Sequence, residues 1–307
     1  MTRIGVDFGG TKIEAAAVDA QGRFLARRRE PNPGNYPAAL ATVARLVTTL
    51  EQETQPVAAV GVGIPGSLSP VTGHVRNANS TWLNDQPLLK DLEVALARPV
   101  RLANDANCMA LSEAVDGSGA GARVVFAAIL GTGAGAGLVV DGHLLQGLNG
   151  VAGEWGHTPL PWAQDAELPV NRCWCGRRGC LETYVSGTAL GADYRRATGV
   201  TATGAEVIEA MRKGDTAAAA AFGRLVDRLG RALAVVGDLL DPDVIVLAGG
   251  LSNVDELYGR LEPVMAEHLF SDVCNTPIVK AKHGDSSGVR GAAWLWPLAP
   301  RLPDPGP

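Results

Sequence analysis

The hydrophobic positions of this chain fall into short runs that end at small or turn-forming residues. Residues 3–29 contain three such runs, separated by a glycine turn and by the turn Asp19 to Gly22, which predicts a meander of three antiparallel strands. The next segment predicts a core-facing helix, because apolar residues recur at helical spacing, at Leu40, Val43, Leu46, Val47 and Leu50. Two more short strands, PVAAVGVGIPG and PVRLAND, precede the helical segment ANCMALSEAV.

The same layout returns in the second half of the chain. After the glycine-rich segment 117–121, residues 124–147 again predict a strand, a Gly-Thr-Gly turn, a second strand and a turn. We therefore expect an α/β protein of two domains: a smaller one at 1–118, completed by a C-terminal helix at about 285–297, and a larger one at 119–284. The proline-rich residues 298–307 predict a flexible tail.

Composition and charge narrow the possible partners. The chain has 307 residues, of which 46% are apolar and 19% charged, enough for a large buried core. The net charge is −5, and Lys and Arg are dispersed apart from the run Arg27 to Arg29, which we interpret as a solvated strand end. This distribution provides no basic stripe for a phosphate backbone, so nucleic acid is not an expected partner.

Membrane insertion and secretion are also not expected. The most apolar stretch, Val124 to Val140, is shorter than the roughly 20 residues of a spanning helix and contains several glycines. The N-terminal sequence MTRIGVDFGG lacks the apolar segment typical of a secretory signal. We therefore expect a cytoplasmic protein.

Three strands end in turns made of small residues: DFGGTK from Asp7 to Lys12, GTGAGAG from Gly131 to Gly137, and AGGLS from Ala248 to Ser252. Glycine lets backbone N–H groups approach a phosphate closely. Any one of these turns is also compatible with a simple tight turn, but their recurrence favours phosphate binding.

Two other phosphate-binding motifs can be compared with these turns. A P-loop is excluded, because Ser67 stands where that motif needs lysine. Gly131, Gly133 and Ala136 satisfy a loose dinucleotide fingerprint, but that motif requires a helix next and the sequence predicts a strand and a hairpin turn. A nicotinamide-dependent oxidoreductase is therefore disfavoured.

Polar residues at two strand ends suggest a catalytic site. Asp7 lies directly before the first glycines, where it could organise a magnesium ion beside phosphate or could simply form the turn. The segment LANDAN places Asn104, Asp105 and Asn107 at the start of a helix. One of these residues is enough for an N-cap, so the surplus indicates a base beside a polyhydroxylated substrate, as phosphoryl transfer requires.

Two more carboxylates could accept sugar hydroxyls. Glu154 lies in GEWGH, and Glu182 follows the cysteine cluster. A pair of carboxylates also suggests a glycosidase, but that reading explains neither the glycine turns nor the cysteines.

Three of the five cysteines lie within the segment RCWCGRRGC. Together with His157, the thiolates of Cys173, Cys175 and Cys180 form a ligand set suited to tetrahedral zinc. Closed sites of this kind are usually structural, so we expect the ion to organise a loop. Cys108 and Cys274 are interpreted as ordinary thiols.

These motifs resemble the ROK family of bacterial sugar kinases, which has the two-domain actin/hexokinase-like (ribonuclease H-like) α/β ATPase fold with an interdomain cleft. The matching segments are DFGGTK, GIPG, NDAN, LGTG, GEWGH, CWCGRRGCLE and LAGGLSN, and the resemblance extends from Arg3 to Pro297. The sequence departs from the family pattern at Ala248, where a glycine is usual, and the extra methyl group crowds the expected adenosine site.

Within that family, three segments are most similar to the manno(fructo)kinase group: NANSTWLN, GEWGHTPLPW and KAKHGDSSGVRGAAWLWP. This similarity implies a fructokinase that also accepts mannose less well. N-acetylglucosamine kinases and glucokinases of the same family are the alternatives; the N-acetylglucosamine kinases share the zinc motif but are less similar around Ser80 to Leu83. A noncatalytic sugar-sensing repressor is a remote alternative, since DFGGTK begins at Asp7, which leaves no space for a helix-turn-helix, and Asp105 is retained.

The resemblance also implies roles for individual residues. Asp105 would be the general base for the 6-hydroxyl of the sugar, and Asp7 would organise Mg²⁺. The implied phosphate-binding residues are Gly9, Gly10, Thr11, Lys12, Gly131, Thr132 and Gly133, with Gly249 and Gly250 beside the nucleotide. The implied sugar-binding residues are Asn104, Asp105, Glu154, His157 and Glu182. The implied ligands and cofactors are a hexose, ATP, Mg²⁺ and structural Zn²⁺, and family membership allows a homodimer.

Overall fold

The computed structural model describes residues 2–167 and 171–296. The predicted tail at 298–307 and the last residue of the predicted C-terminal helix lie outside these ranges. Two compact units contain the described residues: the first comprises 2–116, 146–151 and 285–296, and the second comprises 117–145, 152–167 and 171–284. Residues 146–151, expected in the larger domain, therefore group with the first unit.

The strands within the described ranges are β1 (Arg3–Phe8), β2 (Lys12–Val18), β3 (Phe24–Pro31), β4 (Val60–Ile64), β5 (Ser67–Leu68), β6 (Val75–Arg76), β7 (Val100–Asn104), β8 (Val124–Leu130), β9 (Ala134–Val140), β10 (His143–Leu144), β11 (Val244–Ala248) and β12 (Ile278–Lys280). The helices are α1 (Tyr36–Glu53), α2 (Leu88–Leu96), α3 (Asp105–Asp116), α4 (Glu182–Val185), α5 (Gly187–Thr198), α6 (Gly204–Arg212), α7 (Thr216–Leu240), α8 (Tyr258–His268) and α9 (Ser287–Trp294).

The two units contain sheets of the same design. The first has the strand order β3-β2-β1-β4-β7, and the second has β10-β9-β8-β11-β12. In each sheet the first three strands are antiparallel and the remaining pairs are parallel. The repeated layout predicted from the sequence is therefore present, and the α/β fold class is confirmed.

Helix α9 lies directly on the first sheet. A Cβ atom at Gly5 of β1 or at Gly61 of β4 would collide with backbone atoms of α9, at Val289 and Ala292 respectively. The helix also packs against α3, since a Cβ at Gly291 would collide with the carbonyl of Cys108. Glycines in the strands and in the helix thus permit contact between backbones, and α9 closes one side of the sheet.

The arginine run on β3 is more than a solvated strand end. Glu14 of β2 is only 2% exposed, and its two carboxylate oxygens accept hydrogen bonds from Arg27 and Arg29. Burial opposes ionisation of Glu14, but the hydrogen bonds from both guanidinium groups outweigh it and lower its pKa. The pairs fix the register of β2 against β3.

In the second unit, the long helix α7 carries two buried arginines. Arg231 is 1% exposed, and it donates to the carbonyl oxygens of Pro161 and Trp162 at 2.7 and 2.8 Å and to Glu167 at 2.7 Å. Arg228 also donates to Glu167, at 2.7 Å. These bonds anchor the loop that precedes the cysteine segment.

Among the described residues, no helix is both long and apolar enough to cross a membrane.

Candidate active site

Two acidic residues meet at one edge of the first sheet. Strands β1, β4 and β7 run parallel, and their register aligns Asp7 with Gly63 and Gly63 with Ala103. Asp105 follows directly after β7, at the first position of α3. Because Gly63 has no side chain, no side chain from the central strand separates the Asp7 and Asp105 positions.

Asn104 takes the capping role that the sequence left open among three residues. Its Oδ1 accepts a 2.8 Å hydrogen bond from the backbone N–H of Asn107, which is the usual N-cap bond. Oδ1 of Asp105 accepts from the N–H of Ala106 at 2.8 Å, and the side chain is accessible to solvent. Asp105 thus presents a carboxylate oxygen that the helix start does not require.

The environment favours protonation of both carboxyl groups. Burial is the largest cause that raises the pKa of Asp7 to about 6, and the negative charges of Asp105 and Glu14 add to it, while Lys12 and Arg29 oppose it. Asp105 is exposed at the surface, but protein atoms surround its carboxyl group closely, and this desolvation raises its pKa against backbone hydrogen bonds that lower it. Two carboxylates that repel each other fit a site for a divalent cation, which would relieve the repulsion.

The predicted phosphate turn from Gly9 to Lys12 follows Asp7 and is braced by residues that the sequence analysis did not single out. Asn32 donates from its side chain to the carbonyl oxygen of Gly9 at 2.7 Å and from its backbone to that of Thr11 at 2.9 Å. A Cβ at Gly10 would lie 2.8 Å from Oγ of Ser80. Thr11 is exposed. Nothing in the pattern of the sequence indicates these long-range contacts.

A further residue near Asp7 comes from the far end of the chain. A Cβ at Gly288, in the first turn of α9, would lie 3.1 Å from Oδ2 of Asp7. The segment HGDSSG, which contains Gly288, was singled out only for its resemblance to a family subgroup. Its position beside Asp7 could not be inferred from that resemblance.

The other two glycine turns lie at one edge of the second sheet. Gly131 to Gly133 joins β8 to β9 as an antiparallel hairpin, so the dinucleotide fingerprint is excluded as predicted. Gly249 follows β11, has φ +80°, and a Cβ there would lie 2.7 Å from the carbonyl of Leu130. Since β11 runs parallel to β8, Gly249 and the turn at Gly131 are neighbours.

The strand residue before Gly249 is the departure from the family pattern. Ala248 is 5% exposed and pairs with Ile129 inside the sheet. Its methyl group is therefore accommodated within the second unit. Gly250 and Thr132 are exposed at the same edge of the second sheet.

The histidine and the three cysteines predicted to bind zinc lie together. Their ligand atoms all lie within 4.8 Å of one another. Sγ of Cys173 is 3.7 Å from Nδ1 of His157, and the Sγ atoms of Cys175 and Cys180 are 3.6 Å apart. Zinc–sulfur bonds of about 2.3 Å in tetrahedral geometry separate two sulfurs by about 3.8 Å. The four residues therefore fit a tetrahedral zinc ion, and the three cysteines form no disulfide.

Without a cation, the three thiol groups of this cluster do not readily ionise at the same time. Burial, followed by the neighbouring cysteines, raises the pKa of Cys180 to about 12, and burial is also the main cause of the raised pKa of Cys173. A backbone N–H at Arg177 is the main cause that lowers the pKa of the exposed Cys175. A bound cation would stabilise all three thiolates, which supports a metal at this position.

The predicted sugar ligands of the second unit surround this cluster. Nε2 of His157 lies 4.0 Å from Oε2 of Glu154, whereas Nδ1 is the ring nitrogen that lies 3.7 Å from Sγ of Cys173. The turn that carries both residues is anchored by Trp155, whose buried ring packs edge-on against Phe126 at 5.2 Å. His157 can therefore coordinate a metal through Nδ1 and bind a hydroxyl group through Nε2.

Glu182 has contacts that the sequence analysis did not predict. Its Oε2 accepts from the backbone N–H of Ala134 at 3.0 Å, and its Oε1 accepts from Nε1 of Trp174 at 2.7 Å. A carboxylate has about four acceptor positions, so it can still accept sugar hydroxyls. Trp174 was visible in the sequence only as an aromatic residue between two zinc ligands.

The fold and these sites define a sugar kinase with the actin/hexokinase-like architecture. The model of the ROK family matches residues 3–298, so the chain belongs to the ROK family. The resemblance on which the sequence analysis relied is confirmed.

Similar proteins support this assignment over nearly the full chain. An N-acetyl-D-glucosamine kinase of Photobacterium profundum is 40% identical over 95% of this chain and 98% of its own. The N-acetylgalactosamine kinase AgaK of a Shewanella species is 42% identical over 95% of each protein.

Solved structures agree with the fold. A ROK hexokinase from Thermus thermophilus superposes with a TM-score of 0.86 at 31% identity, covering 95% of this chain and 97% of that one. A ROK family glucokinase from Streptomyces griseus, in complex with glucose and AMPPNP, gives a TM-score of 0.77 at 30% identity, covering 96% and 99%.

Proposed function

We propose that this protein is an ATP-dependent kinase of a hexose or N-acetylhexosamine, with Asp105 as the general base. The observation that carries this proposal is that Asn104 and Asp105 have different roles at the start of α3. Asn104 caps the helix, and the accessible Asp105 carboxylate keeps an oxygen that the cap does not use. A base must reach the proton it removes, and accessibility meets that requirement.

The reaction follows from these parts. The 6-hydroxyl oxygen of the acceptor attacks the γ-phosphorus of ATP, the bond to the β,γ-bridging oxygen breaks, and ADP leaves. Asp105 takes the hydroxyl proton as the new P–O bond forms. Its raised pKa brings its basicity closer to what proton transfer near neutral pH requires.

Asp7 and the glycine turns would hold the nucleotide. Asp7 would position a magnesium ion, which when bound neutralises charge on the phosphates. Backbone N–H groups hold phosphate oxygens well where glycine allows close approach, and the proposed phosphate-binding residues are Gly9, Gly10, Thr11, Lys12, Gly131, Thr132 and Gly133. Gly249 and Gly250 would border the nucleotide at the same sheet edge as Gly131.

Glu154, His157 and Glu182 would bind acceptor hydroxyls, together with Asn104. A structural zinc ion held by His157, Cys173, Cys175 and Cys180 would fix the position of the His157 ring through Nδ1. The role proposed for the metal is therefore positional.

We take N-acetyl-D-glucosamine as the preferred acceptor because the 40% identical relative is named as an N-acetyl-D-glucosamine kinase. The 42% identical relative, named as an N-acetylgalactosamine kinase, makes N-acetylgalactosamine a further candidate. The fructose preference expected from the sequence has no support among these relatives. Fructose remains the second candidate on one observation, the resemblance of NANSTWLN, GEWGHTPLPW and KAKHGDSSGVRGAAWLWP to the manno(fructo)kinase group.

A coupled assay of ADP release tests the proposal directly, with N-acetylglucosamine, N-acetylgalactosamine, fructose, mannose and glucose measured side by side. We expect ATP-dependent 6-phosphorylation with the highest kcat/KM for N-acetylglucosamine. A clear lead for fructose would replace the acceptor but keep the kinase. Absence of turnover with all five sugars, in protein shown to bind zinc and ATP, would refute the kinase assignment.

A further inference from the structure

Trp174 is held in an unusual position for an exposed tryptophan. It lies between the zinc-binding residues Cys173 and Cys175, and it is 68% exposed. Its indole Nε1–H donates a 2.7 Å hydrogen bond to Oε1 of Glu182. Its ring also meets the ring of His157 edge-on, with centroids 5.1 Å apart and an interplanar angle of 77°. Two contacts thus fix a large side chain whose ring remains open to solvent.

Both contacts involve residues that we propose to bind the acceptor. A carboxylate that accepts one hydrogen bond on each oxygen has a defined orientation, and Glu182 receives one from Trp174 and one from Ala134. Both bonds are accepted by a carboxylate and are therefore of the charge-assisted type, which is stronger than a bond between neutral groups. Without the bond from the indole, the contact that Oε1 of Glu182 keeps within the described ranges is a long one, of 3.9 Å, with Sγ of Cys173.

A protective cover for the cysteine cluster is the simplest alternative role for Trp174. A cover would be expected to bury its ring over the sulfur atoms. Here most of the ring surface faces solvent, and the polar N–H group is directed at Glu182 rather than at a backbone carbonyl. Tryptophan with one hydrogen-bonded end and one open apolar face is a common recognition element.

We propose that Trp174 is a positioning and specificity residue for the acceptor: its N–H group holds the Glu182 carboxylate, and its exposed ring contacts the apolar C–H surface of the sugar. The inference rests on the proposed function, since it requires that Glu182 and His157 bind the acceptor. It predicts that loss of Trp174 changes acceptor recognition and leaves nucleotide recognition intact.

Three variants separate the two contributions. Trp174→Phe keeps an aromatic ring and removes the N–H donor. Trp174→Gln removes the ring but places an amide N–H as many bonds from the backbone as the indole nitrogen. Trp174→Ala removes both. Trp162→Phe is the matched control, because Trp162 is also exposed, at 52%, and has no contact with Glu182 among the described residues.

Steady-state kinetics with the preferred acceptor, direct titration of acceptor and of ATP, and zinc content are measured for each variant. We expect the acceptor KM to rise about tenfold in Trp174→Phe, as for loss of one hydrogen bond to a charged group. Trp174→Ala should show the largest increase, and Trp174→Gln should recover part of it. The ATP KM, the zinc content and all constants of Trp162→Phe should remain within about twofold of the wild type.

The outcomes distinguish this inference from the proposed function. A wild-type protein that phosphorylates no sugar contradicts the function itself. An active wild type whose acceptor KM is unchanged in all three Trp174 variants overturns the inference alone. Parallel losses of zinc, acceptor affinity and ATP affinity would also overturn it, because they identify Trp174 as a structural cover of the metal site.

Discussion

The backbone N–H of Ala134 donates a 3.0 Å hydrogen bond to Oε2 of Glu182. Ala134 begins β9 directly after the turn Gly131 to Gly133, which we propose to bind phosphate, whereas Glu182 begins α4 after the proposed zinc ligands. One carboxylate therefore connects a proposed nucleotide-binding turn with a proposed acceptor-binding loop inside the same unit. A change in the turn that displaces this carboxylate should therefore be measurable in acceptor binding.

Gly133→Ala tests that connection. A Cβ at Gly133 would collide with Oε2 of Glu182, so the carboxylate or the turn must move. We expect the KM values for acceptor and ATP to rise together and kcat/KM to fall at least about tenfold, the effect of about 1.4 kcal/mol. Gly259→Ala is the control, since a Cβ there meets nothing within 4 Å. A Gly133→Ala enzyme with unchanged KM values would contradict the proposed coupling.

Asp105→Asn tests the base. Asparagine keeps the size of the side chain and its acceptor oxygen but cannot take the proton, so kcat should fall by about 10²- to 10⁴-fold. Acceptor binding, measured by calorimetry, should remain within a few-fold of the wild type. Asp272→Asn changes the charge equally at an exposed position and should leave kcat unaltered. If Asp105→Asn turns over at nearly the normal rate, Asp105 is not the base.

Asp7→Asn should separate stability from activity. Burial and the neighbouring carboxylates raise the pKa of Asp7 from 3.8 to about 6, so its ionisation opposes folding. Below pH 3.8 the carboxyl group is protonated in both the folded and the unfolded state, and the free energy of unfolding is then highest as far as Asp7 is concerned. This contribution to the free energy of unfolding is lost as the pH rises through about 6, the pKa of Asp7 in the folded protein. The loss amounts to at most about 3 kcal/mol.

Without added magnesium or nucleotide, Asp7→Asn should therefore unfold at a higher temperature than the wild type at pH 8 and at nearly the same temperature at pH 3.5. The same substitution should strongly reduce kinase activity, because it removes the proposed magnesium partner. Thermal unfolding at both pH values, with an activity assay at pH 8, checks the prediction. Equal stability differences at the two pH values would show that Asp7 does not titrate in this way.

Removal of zinc should affect acceptor binding first. The cluster lies within one residue of Trp174 and two residues of Glu182, whereas the glycine turns do not supply any of its ligands. Titration with a chelator selective for zinc over magnesium should weaken acceptor binding before ATP binding, and added zinc should restore it. Cys175→Ser should reproduce the effect, and Cys274→Ser should not. Equal acceptor affinity in metal-free protein would count against the positional role.

The sequence predicted local elements well because each strand and helix has its own hydrophobic period and its own glycine or polar end. It also predicted that His157, Cys173, Cys175 and Cys180 would lie together, since few combinations of His and Cys at such spacing serve a chemistry other than zinc binding. It did not distinguish which of Asn104 and Asp105 caps α3, because both residue types can do so; the bond from Asn107 decides it.

The contacts that the sequence missed join distant segments. Asn32 braces the Gly9 turn, Gly288 lies beside Asp7, and Ala134 bonds to Glu182, and none of these pairs shares a local pattern. The sequence also did not determine the acceptor, because the residues proposed to bind its hydroxyl groups are compatible with several hexoses. The contacts between distant segments depend on the tertiary structure, and the choice of acceptor depends on small differences between the residues around the substrate.

The packing of α9 on the first sheet has a consequence for the order of events during translation. Strands β1 and β4 leave the ribosome long before residues 287–294 are made, yet their glycines leave the room that the backbone of that helix occupies. Until residues 287–294 have been made, the sheet that carries Asp7 lacks the helix that closes one of its sides. Nascent chains stalled before residue 287 should therefore expose this surface and depend on chaperones more than the full-length chain.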